Sequence, residues 1–354
     1  MKNFSFKKID YKEKPFVIAE VGVNHENNIN LAEKIIKQAK IGGADAVKFQ
    51  TYKANLIASK KSPYYWDLKK VPIKSQYKLF KKFDKLDYED YIKLKKICDH
   101  YKIIFSSTPF DINSAIFLDK IVPFFKIASA DITNFPLLDT IFKFKKPVIV
   151  STGASVLSEI KNIKRRVDKK YPGSELIFLH CVLSYPTKYS DANLNMIKFL
   201  NKEFPKNIIG YSDHTMPDEE MLVLREAYRM GANIIEKHFT LDKLKGKKNN
   251  DHFHSMDFND LKKFIQLIKK TNLIKGNVFG RPLLECEKKS RKNARRSLYT
   301  YGEISKNEKF SHLNVIAKRP GGGICPSKIS QILGKKAKKN LKDDHKISKQ
   351  DIFA

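Results

Sequence analysis

Eight short apolar runs recur along this chain, and each closes on polar residues capable of chemistry. The first three are Val17-Ile18-Ala19-Glu20, Ala46-Val47-Lys48-Phe49-Gln50 and Ile103-Ile104-Phe105-Ser106-Ser107-Thr108. Phe124-Phe125-Lys126-Ile127, Val148-Ile149-Val150-Ser151 and Ile177-Phe178-Leu179-His180 follow. The last two are Ile208-Ile209-Gly210-Tyr211-Ser212-Asp213-His214 and Ile234-Ile235-Glu236-Lys237-His238. A strand buried on both faces reads as a continuous apolar run, so these predict buried strands.

Helical patterns separate the runs. Leu31, Ile35, Ile36 and Ala39 keep one stripe, with Gly42-Gly43 as its stop. Tyr91, Ile92, Leu94 and Ile97 keep another, as do Leu157, Ile160, Ile163 and Val167. Leu222, Leu224, Ala227 and Tyr228 precede Gly231, and Leu261, Phe264, Ile265 and Ile268 form the last stripe. Strands alternating with helices predict parallel βαβ units. Eight such units close a (β/α)8 TIM barrel of about 250 residues, whose active site lies at the C-terminal strand ends. The expected domains are a catalytic barrel over 1–276, a charged linker over 277–292 and a small domain over 293–354. The small domain shows two strand-like runs, Ser297-Leu298-Tyr299 and Asn314-Val315-Ile316-Ala317.

The net charge of +31 invites a nucleic-acid reading. Yet of 69 basic residues only 9 are arginine, and the lysines are spread over nearly every helix. Forked phosphate recognition favours arginine gathered in a stripe. No nucleic-acid partner is therefore expected, though the field attracts small anions. The cysteines Cys98, Cys181, Cys286 and Cys325 are far apart and form no CxxC pair, which fits a reducing compartment. Cys181 reads as a buried thiol. The run Pro15 to Ala19 is too short for a signal peptide. No stretch reaches the roughly 18 apolar residues of a membrane span, so a cytoplasmic protein is expected.

The strand ends carry the chemistry. His214 and His238 close the last two runs, and neighbouring strand ends lie within about 5 Å. They either share a divalent metal with open positions or stand as satisfied histidines at a barrel mouth. Asp213 and Glu236 beside them are expected to orient the rings. Lys48 and Lys126 interrupt apolar strands, where an unpaired charge is costly, so they face a site or a partner. With Thr108, Ser129, Ser151 and Ser212 they suit the phosphate and carboxylate of a small anion. The same lysines also fit aldolase chemistry through an imine. Glu20 is either a general acid/base or an ion-pair partner of Lys48. His252 and His254 are either metal ligands or surface and substrate contacts. Tyr64-Tyr65-Trp66 reads as a lid over a sugar ring or an exposed plug. Gly321-Gly322-Gly323 lacks the strand and helix of a nucleotide loop.

Taken together the chain resembles the sialic acid synthase family, the N-acylneuraminate synthases. The resemblance rests on Ile18-Ala19-Glu20-Val21-Gly22-Val23-Asn24-His25, Val47-Lys48-Phe49-Gln50-Thr51, Ser107-Thr108-Pro109-Phe110-Asp111 and Phe125-Lys126-Ile127-Ala128-Ser129. It continues through Ser151-Thr152-Gly153, Leu179-His180-Cys181, Tyr185-Pro186-Thr187 and Gly210-Tyr211-Ser212-Asp213-His214-Thr215. Glu236-Lys237-His238-Phe239-Thr240 and Lys318-Arg319-Pro320 complete it, all in family order. The resemblance implies a transferase that joins phosphoenolpyruvate to an N-acyl-mannosamine-type sugar, giving a nonulosonic acid and phosphate. It implies a C-terminal antifreeze-like domain of SAF, or β-clip, fold and a domain-swapped homodimer. His214 and His238 would then hold Mn2+ or Mg2+. Lys48, Lys126, Ser129, Ser151 and Ser212 would hold phosphoenolpyruvate, with Thr108 nearby. Glu20 would handle protons, and Gln50, Tyr185, Asp251 and Arg319 would touch the sugar.

Two positions depart from the family pattern. Leu183 stands where many relatives have a small polar residue, and Asp131 where many have glutamate. The shorter Asp131 would bear on which sugar binds. Two other readings stand beside this one. One is a related barrel condensing phosphoenolpyruvate with a sugar phosphate, against which the Lys318-Arg319-Pro320 domain speaks. The other is a non-catalytic carbohydrate-binding coat protein, against which the intact set Glu20, Lys48, Lys126, His214 and His238 speaks.

Overall fold

The eight apolar runs form eight parallel strands: β1 Phe16–Gly22, β2 Ala46–Thr51, β3 Ile104–Pro109, β4 Phe125–Ile127, β5 Val148–Ser151, β6 Leu176–Cys181, β7 Ile208–Asp213 and β8 Ile234–His238. They belong to a computed structural model that describes residues 4–66, 68, 71–244, 251–276 and 280–353. The hydrogen-bonded order is β3-β2-β1-β8-β7-β6-β5-β4, and β3 packs against β4 where the barrel closes. In register, Glu20 stands opposite Lys48 on one side and His238 on the other.

Helices connect the strands: α1 Ile29–Gly42, α2 Ala54–Ile57, α3 Gln76–Phe83, α4 Tyr88–His100, α5 Ile112–Leu118, α6 Phe135–Lys143, α7 Leu157–Lys170, α8 Asn195–Glu203, α9 Leu222–Arg229 and α10 Phe258–Lys275. Their ends follow local chemistry. Asn28 caps α1 by accepting from Leu31 N, and Gly43 ends it at φ 105°, the left-handed conformation that glycine adopts most readily. Reciprocal boxes, Asp87 with Asp90 and Asp257 with Asp260, start α4 and α10.

Strand side chains alternate between two cores. Val17, Ala19, Val47, Phe49, Phe125, Val150, Phe178 and Ile235 point outward and pack against the helices. Phe16, Ile18, Ala46, Phe124, Ile149, Ile177, Leu179 and Ile234 point inward with Phe6. Period 2 then carries the next inward position of each strand to Glu20, Lys48, Lys126, Ser151, Cys181 or Glu236. The barrel interior is thus apolar at the bottom and charged at the top. Phe4, Phe6, Phe16 and Phe124 plug the bottom, with Phe6 and Phe124 ring centroids 5.0 Å apart. Gly210 is required where β7 meets its neighbours, because a Cβ there would lie 2.4 Å from Ile234 O.

The chain divides into two compact units, Met1–Gly276 and Asn277–Ala354. The second contains the helix α11, Lys288–Ala294, and an antiparallel pair, β9 Ser297–Thr300 and β10 Val315–Lys318. Its own core is built on Leu298, Ile304, Phe310, Val315, Leu341 and Ile347. The segment expected as a linker, 277–292, therefore carries the start of α11, while residues 277–279 lie outside the described residues. Among the described residues no helix is long and apolar enough to cross a membrane.

Candidate active site

Strands β1, β2, β4 and β8 deliver charged side chains to one point inside the barrel mouth, and β7 adds the Ser212 hydroxyl. Lys48 Nζ lies 2.5 Å from Glu20 Oε2 and 3.9 Å from Glu236 Oε2. Lys126 Nζ lies 3.3 Å from Glu236 Oε1. Lys48 donates to Thr108 Oγ1 at 3.0 Å, Gln50 Nε2 donates to Glu20 Oε1 at 3.2 Å, and Ser212 Oγ donates to Glu236 Oε1 at 3.1 Å. All four charged side chains are buried. Gly153 N donates to Ser129 Oγ at 2.9 Å, while the buried Ser151 Oγ has no hydrogen-bond partner among the described residues. Buried polar atoms are normally paired, so an orphan facing a cavity marks a place for a ligand oxygen.

Burial pushes the Glu20 carboxyl up to about 7, against the pull of Lys48. Burial alone would raise Glu236 too, but Lys126 and Lys48 outweigh it and hold Glu236 below the usual carboxylate range. Burial would lower Lys48, yet Glu20 and Glu236 keep it above its ordinary value. Lys126 falls below its ordinary value through burial, only partly offset by Glu236. Glu236 therefore keeps its charge, and Glu20 is the carboxyl able to gain or lose a proton near neutral pH.

One layer further out the side chains change character. The ring centroids of His214 and His238 lie 5.6 Å apart, and those of His238 and His254 4.8 Å apart. His238 Nδ1 is 3.7 Å from Asp251 Oδ2, and His214 Nδ1 bonds Val182 O at 2.8 Å. Burial, with His254 and His214 nearby, holds His238 well below its ordinary value, so it is a neutral imidazole. Burial raises Asp251 to about 6. Tyr185 stacks obliquely on His214, 4.2 Å between centroids. At the end of β1, Gly22 holds φ +53°, and a Cβ there would press within 3.2 Å of Asp251 Oδ2 and 3.3 Å of Glu20 Oε1.

The side chains named above, except His254, line one cavity of about 530 Å³. It brings together the expected residues Glu20, Lys48, Gln50, Thr108, Lys126, Ser129, Asp131, Ser151, Tyr185, Ser212, His214, His238 and Asp251. Leu183 lines it as well. Asp131 follows β4 and accepts from Asn134 Nδ2 at 3.1 Å. Arg319 belongs to the second unit, exposed and one residue past β10. Tyr65 and Trp66 also line the cavity, and Trp66 Nε1 donates to Val71 O and Ile73 O at 3.2 and 3.1 Å.

The structure corrects several side-chain assignments. Asp213 does not orient a site histidine. It points to the other face of β7, where it meets Lys237 Nζ at 2.5 Å and accepts from Thr215 N at 2.9 Å. Glu236 is not a histidine partner either but the bridge between the two lysines. His180 turns away and bonds Ala192 O at 2.8 Å, so Cys181 is the β6 residue that lines the cavity. His252 is a buried anchor, bonded to Thr240 Oγ1 at 2.7 Å, and His254 is fully buried beside His238. Counting in twos from His238 finds Glu236 on the inner face; nothing local in the His-x-His loop signals which ring turns inward.

With this geometry in view, similarity to known proteins is informative. The NeuB family model matches residues 35–279 and the SAF domain model matches residues 295–352. An N,N'-diacetyllegionaminic acid synthase of Legionella pneumophila is 38% identical over 92% of this chain and 91% of its own. A pseudaminic acid synthase of Campylobacter jejuni is 34% identical over 96% of this chain and 97% of its own. Among solved structures, an N-acetylneuraminic acid synthetase from Leptospira borgpetersenii aligns with TM-score 0.67 and 32% identity, covering 79% of this chain and 90% of that one.

Proposed function

We propose, from the premise that this chain belongs to the NeuB family and carries a SAF domain, that it is a nonulosonic acid synthase. It condenses phosphoenolpyruvate with an N-acyl-mannosamine-type sugar and releases phosphate. One observation carries the reading. Two buried lysines, 3.3 and 3.9 Å from the same Glu236, share a cavity wall with the unpartnered Ser151 hydroxyl, directly beneath a cluster of imidazoles and a carboxylate. The lower layer suits a multiply charged anion, and the upper layer suits a divalent cation and a polyhydroxylated partner.

In the reaction the enol carbon of phosphoenolpyruvate bonds to the sugar aldehyde carbon. Water then adds at the carbon that bore the phosphate, and phosphate leaves with cleavage of its carbon–oxygen bond. Lys48 and Lys126 hold the anion without covalent attachment and counter the charge that moves during the step. Glu20, about neutral in pKa, moves the proton at the reacting centre. Gln50 fixes the Glu20 carboxyl, and Tyr185, Asp131 and Asp251 meet the sugar. The buried Nδ1 of His238, without a hydrogen-bond partner among the described residues, fits a cation ligand, and His214 and His238 would hold Mn2+ or Mg2+. When bound, such a cation polarises a carbonyl or hydroxyl oxygen. The same reading makes the protein a domain-swapped homodimer in which Arg319 of one chain serves the barrel of the other.

The SAF domain weighs against a sugar-phosphate condensing barrel, and the complete charged set weighs against a non-catalytic coat protein. An imine mechanism would use Lys126, whose pKa burial lowers, and borohydride added during turnover tests it. The deciding assay is phosphate release from phosphoenolpyruvate with Mn2+ and a panel of sugars. The panel holds N-acetylmannosamine and the deoxy, diacetamido sugars that lead to legionaminic and pseudaminic acids. Release with one of them is the expected result. Release with none, or only with a sugar phosphate, would sink the reading.

A further inference from the structure

The loop that follows β8 brings a carboxylate and an imidazole, Asp251 and His254, to His238 that the strand-end pattern does not contain. Ligand atoms of His238, Asp251 and His254 all lie within 4.8 Å of one another. His214 stands next to this group, its ring centroid 5.6 Å from that of His238 and 6.1 Å from that of His254. The loop is built to hold that arrangement. Met256 N donates to His238 O at 2.8 Å and Thr240 N donates to Met256 O at 3.0 Å, so the returning chain is laced to the end of β8. From the opposite side Asn24 Nδ2 donates to Phe239 O at 3.0 Å and to Ser255 Oγ at 3.1 Å. Ser255 Oγ in turn donates to the Asp251 carbonyl. Within Asp251-His252-Phe253-His254 the two histidines divide their tasks. His252 anchors the loop through Thr240 Oγ1 and lies 3.3 Å from Glu26, while His254 is packed against the rings of His238 and Tyr185.

We propose that His254 and Asp251 are ligands of the divalent cation together with His238 and His214, so that the cation rests on three imidazoles and one carboxylate oxygen rather than on two histidines, with the second Asp251 oxygen left to the sugar. The inference deepens the reading above, since it concerns the cation invoked there. Its basis is the placement of donors. Asp251 Oδ2 and the unpartnered Nδ1 of His238 face each other at 3.7 Å, too far for a hydrogen bond and close enough for a shared ion after small side-chain rotations. A donor set rich in imidazole favours first-row transition ions over magnesium, so Mn2+ or Co2+ should bind more tightly than Mg2+. A carboxylate ligand also neutralises part of the ion's charge, which histidines alone would not do.

The test is Mn2+ binding to the full chain, read without turnover. Pulsed electron paramagnetic resonance of the Mn2+ complex should show nitrogen couplings from three imidazoles in the native protein and from two in His254→Ala. Calorimetric titration should show His254→Ala and Asp251→Asn each weakening Mn2+ by roughly tenfold or more, with circular dichroism unchanged. Couplings from two imidazoles in the native protein, or unchanged affinity in a folded His254→Ala, would overturn the inference. Should His254→Ala fail to fold, the native spectrum alone decides. Phosphate release on the same preparation keeps the two readings apart. Mn2+ held by three imidazoles without any release sinks the synthase and leaves the site, whereas release with a two-imidazole spectrum sinks only the site.

Discussion

Glu20 Oε2 and Lys48 Nζ are 2.5 Å apart across two strands whose Cα atoms are paired at these residues. The pair is both a structural bridge and part of the cavity wall, so the two sequence-level alternatives for Glu20 are compatible. Lys48 also faces Glu236 at 3.9 Å, and Glu236 has Lys126 as a second cation at 3.3 Å, whereas among the described residues Glu20 pairs with Lys48 alone.

Replacing Glu20 by Gln keeps the shape and removes the titrating proton. kcat is expected to fall by about 10²- to 10⁴-fold with little change in folding. In the native enzyme the pH profile should bend near 7, where the Glu20 carboxyl titrates, and the variant should lose that limb. The sign for stability is opposite to a surface carboxylate. The folded pKa is raised, so the contribution of Glu20 is present below its ordinary value and lost as pH rises through about 7. Glu20→Gln should therefore melt higher than the native protein in alkaline buffer. An unchanged pH profile would remove Glu20 from the proton-handling role.

Lys126 and Glu236 form a second test of charge balance. Lys126→Met leaves the buried Glu236 carboxylate with fewer partners and is expected to cost about 3 kcal/mol in denaturant unfolding. Adding Glu236→Gln should return most of that loss, because the uncompensated charge is gone. Neither protein should bind phosphoenolpyruvate well in calorimetry. If the double variant binds it with native affinity, the lysine cradle is not the anion site.

Much of this site could be read from the chain before any coordinates. The eight strands, their order along the chain and the polar residues at their ends follow from eight apolar runs separated by helical stripes. What the runs hide is which face each residue takes. In a strand buried on both sides, Ser212, Asp213 and His214 look equivalent, yet the pleat sends Asp213 to Lys237 and the other two into the cavity. That His254 rather than His252 turns toward His238 is hidden for a different reason. Its position depends on a loop returning to β8, a long-range contact with no local signature. The helix α11 begins within the charged stretch, 277–292, that reads only as a linker.

The second unit offers a pH test of its own. Asp351 accepts from Ser348 N at 2.8 Å and lies 3.0 Å from both His345 Nε2 and Lys339 Nζ. Burial alone would raise its pKa, but His345, the Ser348 N–H and Lys339 outweigh it and hold the carboxyl well below the usual range. A depressed folded pKa gives stability that is present above the ordinary carboxylate value, about 4, and lost as pH falls through the folded value. Asp351→Asn should speed hydrogen exchange in residues 297–353 at neutral pH, and the difference from native should shrink in increasingly acid buffer. A difference that does not change with pH would mean the side chain acts through packing alone.

Arg319 tests the swapped assembly. Glu20→Ala and Arg319→Ala proteins should each be nearly inactive. If the assembly is swapped as proposed, mixing after reversible dissociation should form heterodimers in which one site carries both defects and the other neither. About half of the dimers are mixed and half of their sites intact, so roughly a quarter of native activity should return. If subunits exchange and none returns, Arg319 serves its own chain.

The aromatic plug of Phe4, Phe6, Phe16 and Phe124 gives the barrel a floor, and that floor has a kinetic meaning. A vessel closed below exchanges its contents through one opening. The lysines sit on the lower tier and the imidazoles on the upper, so a molecule on the upper tier blocks the way to the lower. In the proposed reaction, the anion that binds the lysines must arrive before the sugar, and phosphate must wait for the acid product to depart. Steady-state kinetics should be strictly ordered, and phosphate should compete with phosphoenolpyruvate but not with the sugar. Competition of phosphate against the sugar would point to a second way in.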